Sequence, residues 1–430
     1  MLVNKSDKKD IGLVAPPAKA YTLRAIFLAS LAEGRSVIEN PLLAADQRNL
    51  IDALERLGVT IREEENTLVI DGCGGAFSPV KRELDVGESG VAMNTLLALA
   101  SLVPGDIVLT GAPGLVERPV GELVDALRQL GCDISYEGQE GFPPVKISSG
   151  QIRGGTTRLS GKKTSQYFSS LALSAPYAQD DVTIVCTDEL SEKPYFDISA
   201  DMMRRFGVAL ENDSYRTMRV AAGQRYRACT IRIEGDWSSA SFYLLAAAVL
   251  GARVRVADLD PESCQGDRLF AGYLERMGCA LSQEDGLFVI EGGPLQPITV
   301  DMGDTPDLVP PLAIAAAFAR GTSVFTNVGR LRYKECNRLE AMKSELAKLG
   351  VVCQYDDELV IQGNPVAMRA AVEAAAARGE AVAIDSWNDH RIAMSFAVAG
   401  LALGNLDIGN PGCVSKSFPD FWERIAPFAD

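Results

Sequence analysis

Four short segments gather most of the side chains able to hold a small anion. They are Glu117-Arg118-Pro119, the run 330–338 reading Arg-Leu-Arg-Tyr-Lys-Glu-Cys-Asn-Arg, Asn388-Asp389-His390-Arg391, and Lys416. An arginine captures carboxylate or phosphate through paired N–H groups, and a lysine supplies a compact point charge. Any one of these segments alone reads as a solvated charged loop. A second polar set stands at the starts of six apolar stretches. Lys19 and Arg24 flank the first, Ser89-Gly90 opens the second and Thr164-Ser165-Gln166 the third. Ser238-Ser239 opens the fourth, Pro306-Asp307 the fifth and 388–391 the sixth. Singly, such residues are ordinary helix caps. Six helix starts aimed at one inter-domain cleft would converge their free N–H groups and positive dipole ends on it. Together the two sets predict a two-domain cleft enzyme for small polyanions, without naming the reaction.

The elements that must position these residues form a repeat. An apolar helix-like stretch leads into a strand, then into a second helix ending in a Leu-Gly-like pair. The second helices read 49–58, 121–131, 197–207, 268–278 and 338–350, with a degenerate sixth at 417–428. The glycines ending the first five (Gly58, Gly131, Gly207, Gly278 and Gly350) are spaced by 73, 76, 71 and 72 residues. So long and regular a period means one supersecondary unit copied, each copy needing neighbours to bury its apolar face. The pattern predicts a roughly β-α-β-α-β-β unit, with strands at 67–70, 106–110, 253–256 and 287–290. The first helix of each copy is apolar on every side, hence buried. Six copies make an α/β protein of two domains with three repeats each, 18–228 and 1–17 with 229–430. The stretch 13–17 is expected to pair with the C-terminal half.

Composition narrows the function. The formal charge of -15 argues against nonspecific nucleic-acid binding. Nine scattered cysteines at no metal-knuckle spacing, with the single histidine His390, argue against a zinc site and for free thiols in a reducing cytoplasm. No apolar run reaches the ~18 residues of a membrane span. The start of the chain is charged and lacks the apolar core of a signal peptide.

The motifs resemble the 5-enolpyruvylshikimate-3-phosphate (EPSP) synthase family, along essentially the whole chain. The specific pieces are Asn388-Asp389-His390-Arg391-Ile392-Ala393-Met394, Lys334-Glu335-Cys336-Asn337-Arg338-Leu339, Glu117-Arg118-Pro119 and Lys416-Ser417-Phe418-Pro419-Asp420. The resemblance implies a two-domain inverse α/β barrel (prism) and enolpyruvyl transfer from phosphoenolpyruvate to the 5-hydroxyl of shikimate 3-phosphate. It also implies addition and elimination through a tetrahedral intermediate, release of phosphate, and no metal or other cofactor. By resemblance, Lys19, Asp307, Glu335 and His390 are catalytic. Lys19, Gly90, Arg118, Gln166, Arg338, Arg391 and Lys416 hold phosphoenolpyruvate. Arg24, Thr164, Ser165, Gln166, Tyr195, Asp307, Arg330 and Lys334 hold the acceptor. The expected protein is a cytoplasmic monomer with small-molecule substrates, binding neither nucleic acid nor membrane.

Several positions depart from the family pattern. Ala20 stands for a serine after Lys19, and 88–94 reads Glu-Ser-Gly-Val-Ala-Met-Asn, with Val91 altered beside Gly90 and Asn94 in place of an arginine. Glu192 stands where a phosphate-binding serine is usual, and Arg330 where an asparagine is common. Most of these changes fall on the acceptor side. They define an alternative, a diverged enolpyruvyl transferase acting on another hydroxylated acceptor. A buried negative charge beside the acceptor phosphate would need a partner.

Overall fold

The computed structural model describes residues 1–429. It divides into two compact units, Pro17–Ile233 and Met1–Pro16 with Glu234–Asp430. The boundary expected at 228/229 lies a few residues early. Thr230–Arg232 is a strand paired in parallel with Glu33–Glu39, which keeps the chain in the first unit to Ile233. Conversely, Asp10–Val14 pairs in parallel with Arg253–Ala257, so the first residues belong to the second unit. The pairing segment ends three residues earlier than the expected 13–17. Pro16 and Pro17 supply no N–H for a ladder.

Each unit carries three sheets. In the second repeat the strands lie in the order Glu83–Asp85, Ile107–Thr110, Val145–Ile147, Ile134–Tyr136. The first pair is parallel, and the last two strands form an antiparallel hairpin. Five sheets of the described residues are four-stranded. The sixth has three strands, with Leu2–Val3 added to Leu406–Ile408.

Beneath the sheets run the apolar helices. Lys19–Leu31 is buried continuously from Tyr21 to Leu31. In the second unit Trp237–Leu250, Val309–Phe318 and His390–Leu403 pack on one another. Ala, Leu, Ile and Phe face every direction on these helices, so only a fully enclosed position satisfies them.

The Leu-Gly pairs that set the repeat have a common geometry. All five glycines have positive φ, from 72° at Gly350 to 111° at Gly278. In the first copy the Gly58 N–H bonds the Glu55 carbonyl at 2.9 Å and the Val59 N–H reaches back to Leu54 at 3.1 Å. The same double bond recurs at Gly131-Cys132, Gly207-Val208, Gly278-Cys279 and Gly350-Val351. This is the Schellman ending, which satisfies the last carbonyls of the helix and needs a residue tolerant of the left-handed region. At Gly58 a Cβ would also lie 2.4 Å from the Ser78 carbonyl oxygen.

Three helices differ from the sequence reading in their starts, one of them, Phe421–Ala429, beginning four residues after the expected 417. Ala45–Arg56 and Lys193–Arg205 each begin four residues before the apolar periodicity does, because their first turns carry Asp46, Gln47 and Lys193. A further helix, Pro365–Ala377, buries only Met368, Val372 and Ala375. It is started by a proline and by the Asn364 side chain accepting from the Ala367 N–H at 3.0 Å.

Candidate functional site

In the Glu234–Asp430 unit charged segments meet at three helix starts and at the end of one short turn. Asp307 lies in the turn Pro306–Leu308 that feeds Val309–Phe318. Lys334 and Glu335 precede Arg338–Lys348, which Asn337 caps through the Glu340 N–H. Asp389 caps His390–Leu403, accepting from the Arg391 N–H at 2.8 Å. Lys416 closes the turn Pro411–Lys416.

Arg338 is the hub. It is 1% exposed, yet its guanidinium reaches three carboxylates. Nε donates to Asp389 at 2.7 Å, Nη1 to Asp307 at 2.8 Å and Nη2 to Glu335 at 2.8 Å. Arg391 Nη2 lies 3.2 Å from Asp307 and donates to the Ser238 hydroxyl at 2.7 Å. Lys334 Nζ lies 3.6 Å from Asp307 and Lys416 Nζ 3.3 Å from Glu335. Four cations therefore contact three carboxylates. His390, buried, sits with Nδ1 3.7 Å from Asp389.

Burial alone would push the Asp307 carboxyl up. Arg391, Lys334 and Arg338 outweigh it and hold the group well below the usual range. Burial opposes ionisation of Glu335 in the same way, and Arg338 and Lys416 again prevail. Both are carboxylates at neutral pH. Burial, followed by the Asp389 charge, drives the Cys336 thiol far up, so it is no thiolate nucleophile.

Behind Ser238 stands Asp267, buried and close to Arg391 and Asp307. Burial is the main reason its carboxyl rises to about 6. A carboxyl whose folded value exceeds its unfolded value costs stability above that folded value. Stability is recovered as pH falls from about 6 toward the unfolded range near 4. Asp267→Asn mimics the protonated form. It should stabilise the protein by roughly 2–3 kcal/mol at pH 8 and by little at pH 4. Denaturant unfolding at the two pH values measures this; equal effects at both would exclude the titration as the cause.

In the Pro17–Ile233 unit, Lys19 is the first residue of its helix and pairs with Asp46 at 2.5 Å. Arg24 is held from three sides. Nε donates to Ser199 at 2.7 Å, Nη2 to the Tyr195 carbonyl at 2.7 Å and Nη1 to the Ala20 carbonyl at 3.0 Å. Burial lowers Arg24 to about 10, so it stays charged at neutral pH. A Cβ on Gly90 would stand 3.3 Å from Arg118 Nη1, a close approach that a larger residue would crowd. Gln166 accepts from Asn94 at 2.8 Å.

The departures from the family pattern separate here. Glu88 is exposed, so its charge is solvated. Glu192 is 3% exposed and takes the left-handed region at φ 56° before the Lys193–Arg205 helix. Its carboxylate accepts from the Thr164 hydroxyl at 3.0 Å, and its carbonyl from the Ser165 hydroxyl at 2.9 Å. The two hydroxyls assigned by resemblance to the acceptor phosphate are thus both bonded to Glu192. Arg330, in the other unit, donates to the Gly303 carbonyl at 2.9 Å.

The residue list drawn from the sequence omitted Asp389, Ser238, Asp46 and Asn94, which hold Arg338, Arg391, Lys19 and Gln166. Asp389 carried a signal, an aspartate at a helix start. Ser238 carried the same signal at the start of the fourth apolar stretch and Asn94 stood out as a departure, whereas Asp46 carried none, because its contact with Lys19 comes from a distant segment.

The EPSP synthase (3-phosphoshikimate 1-carboxyvinyltransferase) family model matches residues 6–425. A 3-phosphoshikimate 1-carboxyvinyltransferase from Methanoculleus marisnigri is 40% identical over 427 residues, 98% of each chain. One from Vibrio cholerae is 39% identical, covering 96% of this chain and 95% of that protein. An EPSP synthase structure from Acinetobacter baumannii superposes with a TM-score of 0.81 at 25% identity, over 99% of this chain and 97% of that one.

Proposed function

This chain belongs to the EPSP synthase family, and from that premise we propose how its residues divide the work of the family's reaction. The enzyme moves the enolpyruvyl group of phosphoenolpyruvate to the 5-hydroxyl of shikimate 3-phosphate and releases phosphate. The hydroxyl oxygen bonds to the central carbon of phosphoenolpyruvate while the methylene gains a proton. The resulting tetrahedral ketal phosphate then loses phosphate, and a methyl proton leaves to restore the double bond.

The observation that carries the assignment of roles is the ionised pair Asp307 and Glu335 set among Lys334, Arg338, Arg391 and Lys416. Phosphoenolpyruvate brings a carboxylate and a phosphate, and Arg338, Arg391 and Lys416 neutralise them. Lys19, Gly90, Arg118 and Gln166 are assigned to the same substrate. Charge developing in the transition state is stabilised by donors already in place. Asp307 and Glu335 exchange the protons, with His390 beside Asp389 completing the catalytic set. The acceptor is taken by Arg24, Thr164, Ser165, Gln166, Tyr195, Arg330 and Lys334, with Asp307 at its reacting hydroxyl. Glu192 must release Thr164 and Ser165 if these hydroxyls are to reach the acceptor phosphate.

The proposal includes a monomer working in the cytoplasm. All nine cysteines are free thiols, and no helix among the described residues is long and apolar enough to cross a membrane.

Phosphate release from phosphoenolpyruvate with shikimate 3-phosphate tests the reading. Turnover should be robust, and Lys19→Met or Arg118→Ala should reduce it by about 10²-fold or more. Phosphoenolpyruvate binding without turnover would favour the diverged acceptor and make Glu192 the residue to explain.

A further inference from the structure

The loop 385–389 delivers Asp389 and Arg391 through an unusual backbone. Trp387 and Asn388 are consecutive non-glycine residues at φ 54° each. For a tryptophan the left-handed region is sterically costly, and it persists only where the surroundings over-determine it. Those surroundings are specific. Glu345, 1% exposed, accepts the Trp387 indole N–H at 3.0 Å on one oxygen and the Asp385 N–H at 3.0 Å on the other. Lys348 supplies the counter-charge at 2.6 Å. Asp385 accepts from the Trp387 N–H at 2.8 Å, and Asn410 donates to Asn388 at 2.7 Å.

Glu345 and Arg338 lie seven residues apart on the helix Arg338–Lys348, about two turns along the same face. The same helix thus grips the loop twice, through Arg338 on Asp389 and through Glu345 on Asp385 and Trp387. We propose that Glu345 is a positioning residue for enolpyruvyl transfer. It clamps the strained Trp387-Asn388 turn and thereby aims Asp389 at Arg338 and Arg391 at its anion. This inference rests on the reading of Arg338 and Arg391 given above.

Glu345→Gln tests it. Glutamine keeps the shape but has one acceptor oxygen, so one of the two N–H groups faces another donor. A loop displaced by about an ångström should lower kcat by about 10- to 100-fold. The KM for phosphoenolpyruvate should rise, and that for the acceptor should stay within about twofold of wild type, by the same positioning argument. The indole N–H resonance of Trp387, identified by its absence in Trp387→Phe, should shift. Adding Asn388→Gly, which accepts positive φ without strain, should recover part of the lost kcat. A purely structural Glu345 would lower thermal stability without either the KM split or the glycine rescue. Wild-type kinetics, or an unmoved indole resonance, in folded Glu345→Gln would overturn the proposal. If that variant does not fold, Trp387→Phe replaces it, and wild-type kinetics there overturn it equally. An inactive wild-type protein would instead remove the underlying functional reading, while the resonance still reports on the clamp.

Discussion

Arg338→Ala should remove a large share of the stability of the unit that carries it. The side chain is 1% exposed and neutralises Asp307, Glu335 and Asp389 together. Removing one partner of a buried ion pair typically costs about 3–5 kcal/mol, because the other charge stays buried and uncompensated. Here three carboxylates lose a partner at once. Asp307 retains Arg391 and Lys334, and Glu335 retains Lys416. Against a typical domain stability of about 5–15 kcal/mol, the loss is a large share. Denaturant unfolding should show the loss at neutral pH, and Arg338→Lys should recover only part of it, since one ammonium cannot span three acceptors. The pH dependence has a definite sign. Asp307 and Glu335 are held below their unfolded values, so their contribution is present above about pH 4. It is lost as pH falls through the folded values. Without Arg338 that depression shrinks, and the acid unfolding midpoint moves to higher pH. Wild-type stability in Arg338→Ala would mean that the carboxylates are solvated.

Arg338 also shows where sequence reading stops. Its place at a helix start follows from Asn337 and the apolar positions after it, and the Leu349-Gly350 ending follows from the glycine. Such features depend on neighbours within a turn or two, so they are legible locally. That Arg338 is a saturated, buried hub is not. Asp389 lies 51 positions away and Asp307 lies 31 away. The sequence therefore places a cation at the site without stating what already occupies it. The same limit applies at Glu192. Its departure from a serine is visible in the sequence, but its bond to Thr164, 28 residues earlier, requires the fold. Glu88, equally conspicuous as a letter, is exposed and solvated. The repeat was readable because its glycines recur, and the Pro365–Ala377 helix was not, because it buries so few residues that periodicity is weak.

The same electrostatics make Asp307 the more revealing catalytic test. Asp307→Ala should lower kcat for phosphate release by about 10²- to 10⁴-fold, the range for loss of a positioned general acid–base. Asp307→Asn should fall as far, because an amide cannot take the hydroxyl proton. Neither change should weaken phosphoenolpyruvate binding. Removing this carboxylate frees Arg391, so the KM for phosphoenolpyruvate should stay level or fall while kcat collapses. In the free enzyme Arg391, Lys334 and Arg338 hold Asp307 well below the usual carboxylate range, where it is a poor base. A bound polyanion shares the cations, their hold on Asp307 weakens, and burial raises its affinity for a proton. The acid limb of kcat/KM reports the free enzyme and that of kcat the complex. The kcat limb should therefore lie at the higher pH and disappear in Asp307→Asn. Coincident limbs that survive the substitution would assign the proton transfer to Glu335 instead. Higher pH for the kcat limb, lost in Asp307→Asn, is the result expected if the substrate's own charge switches on the base that consumes it.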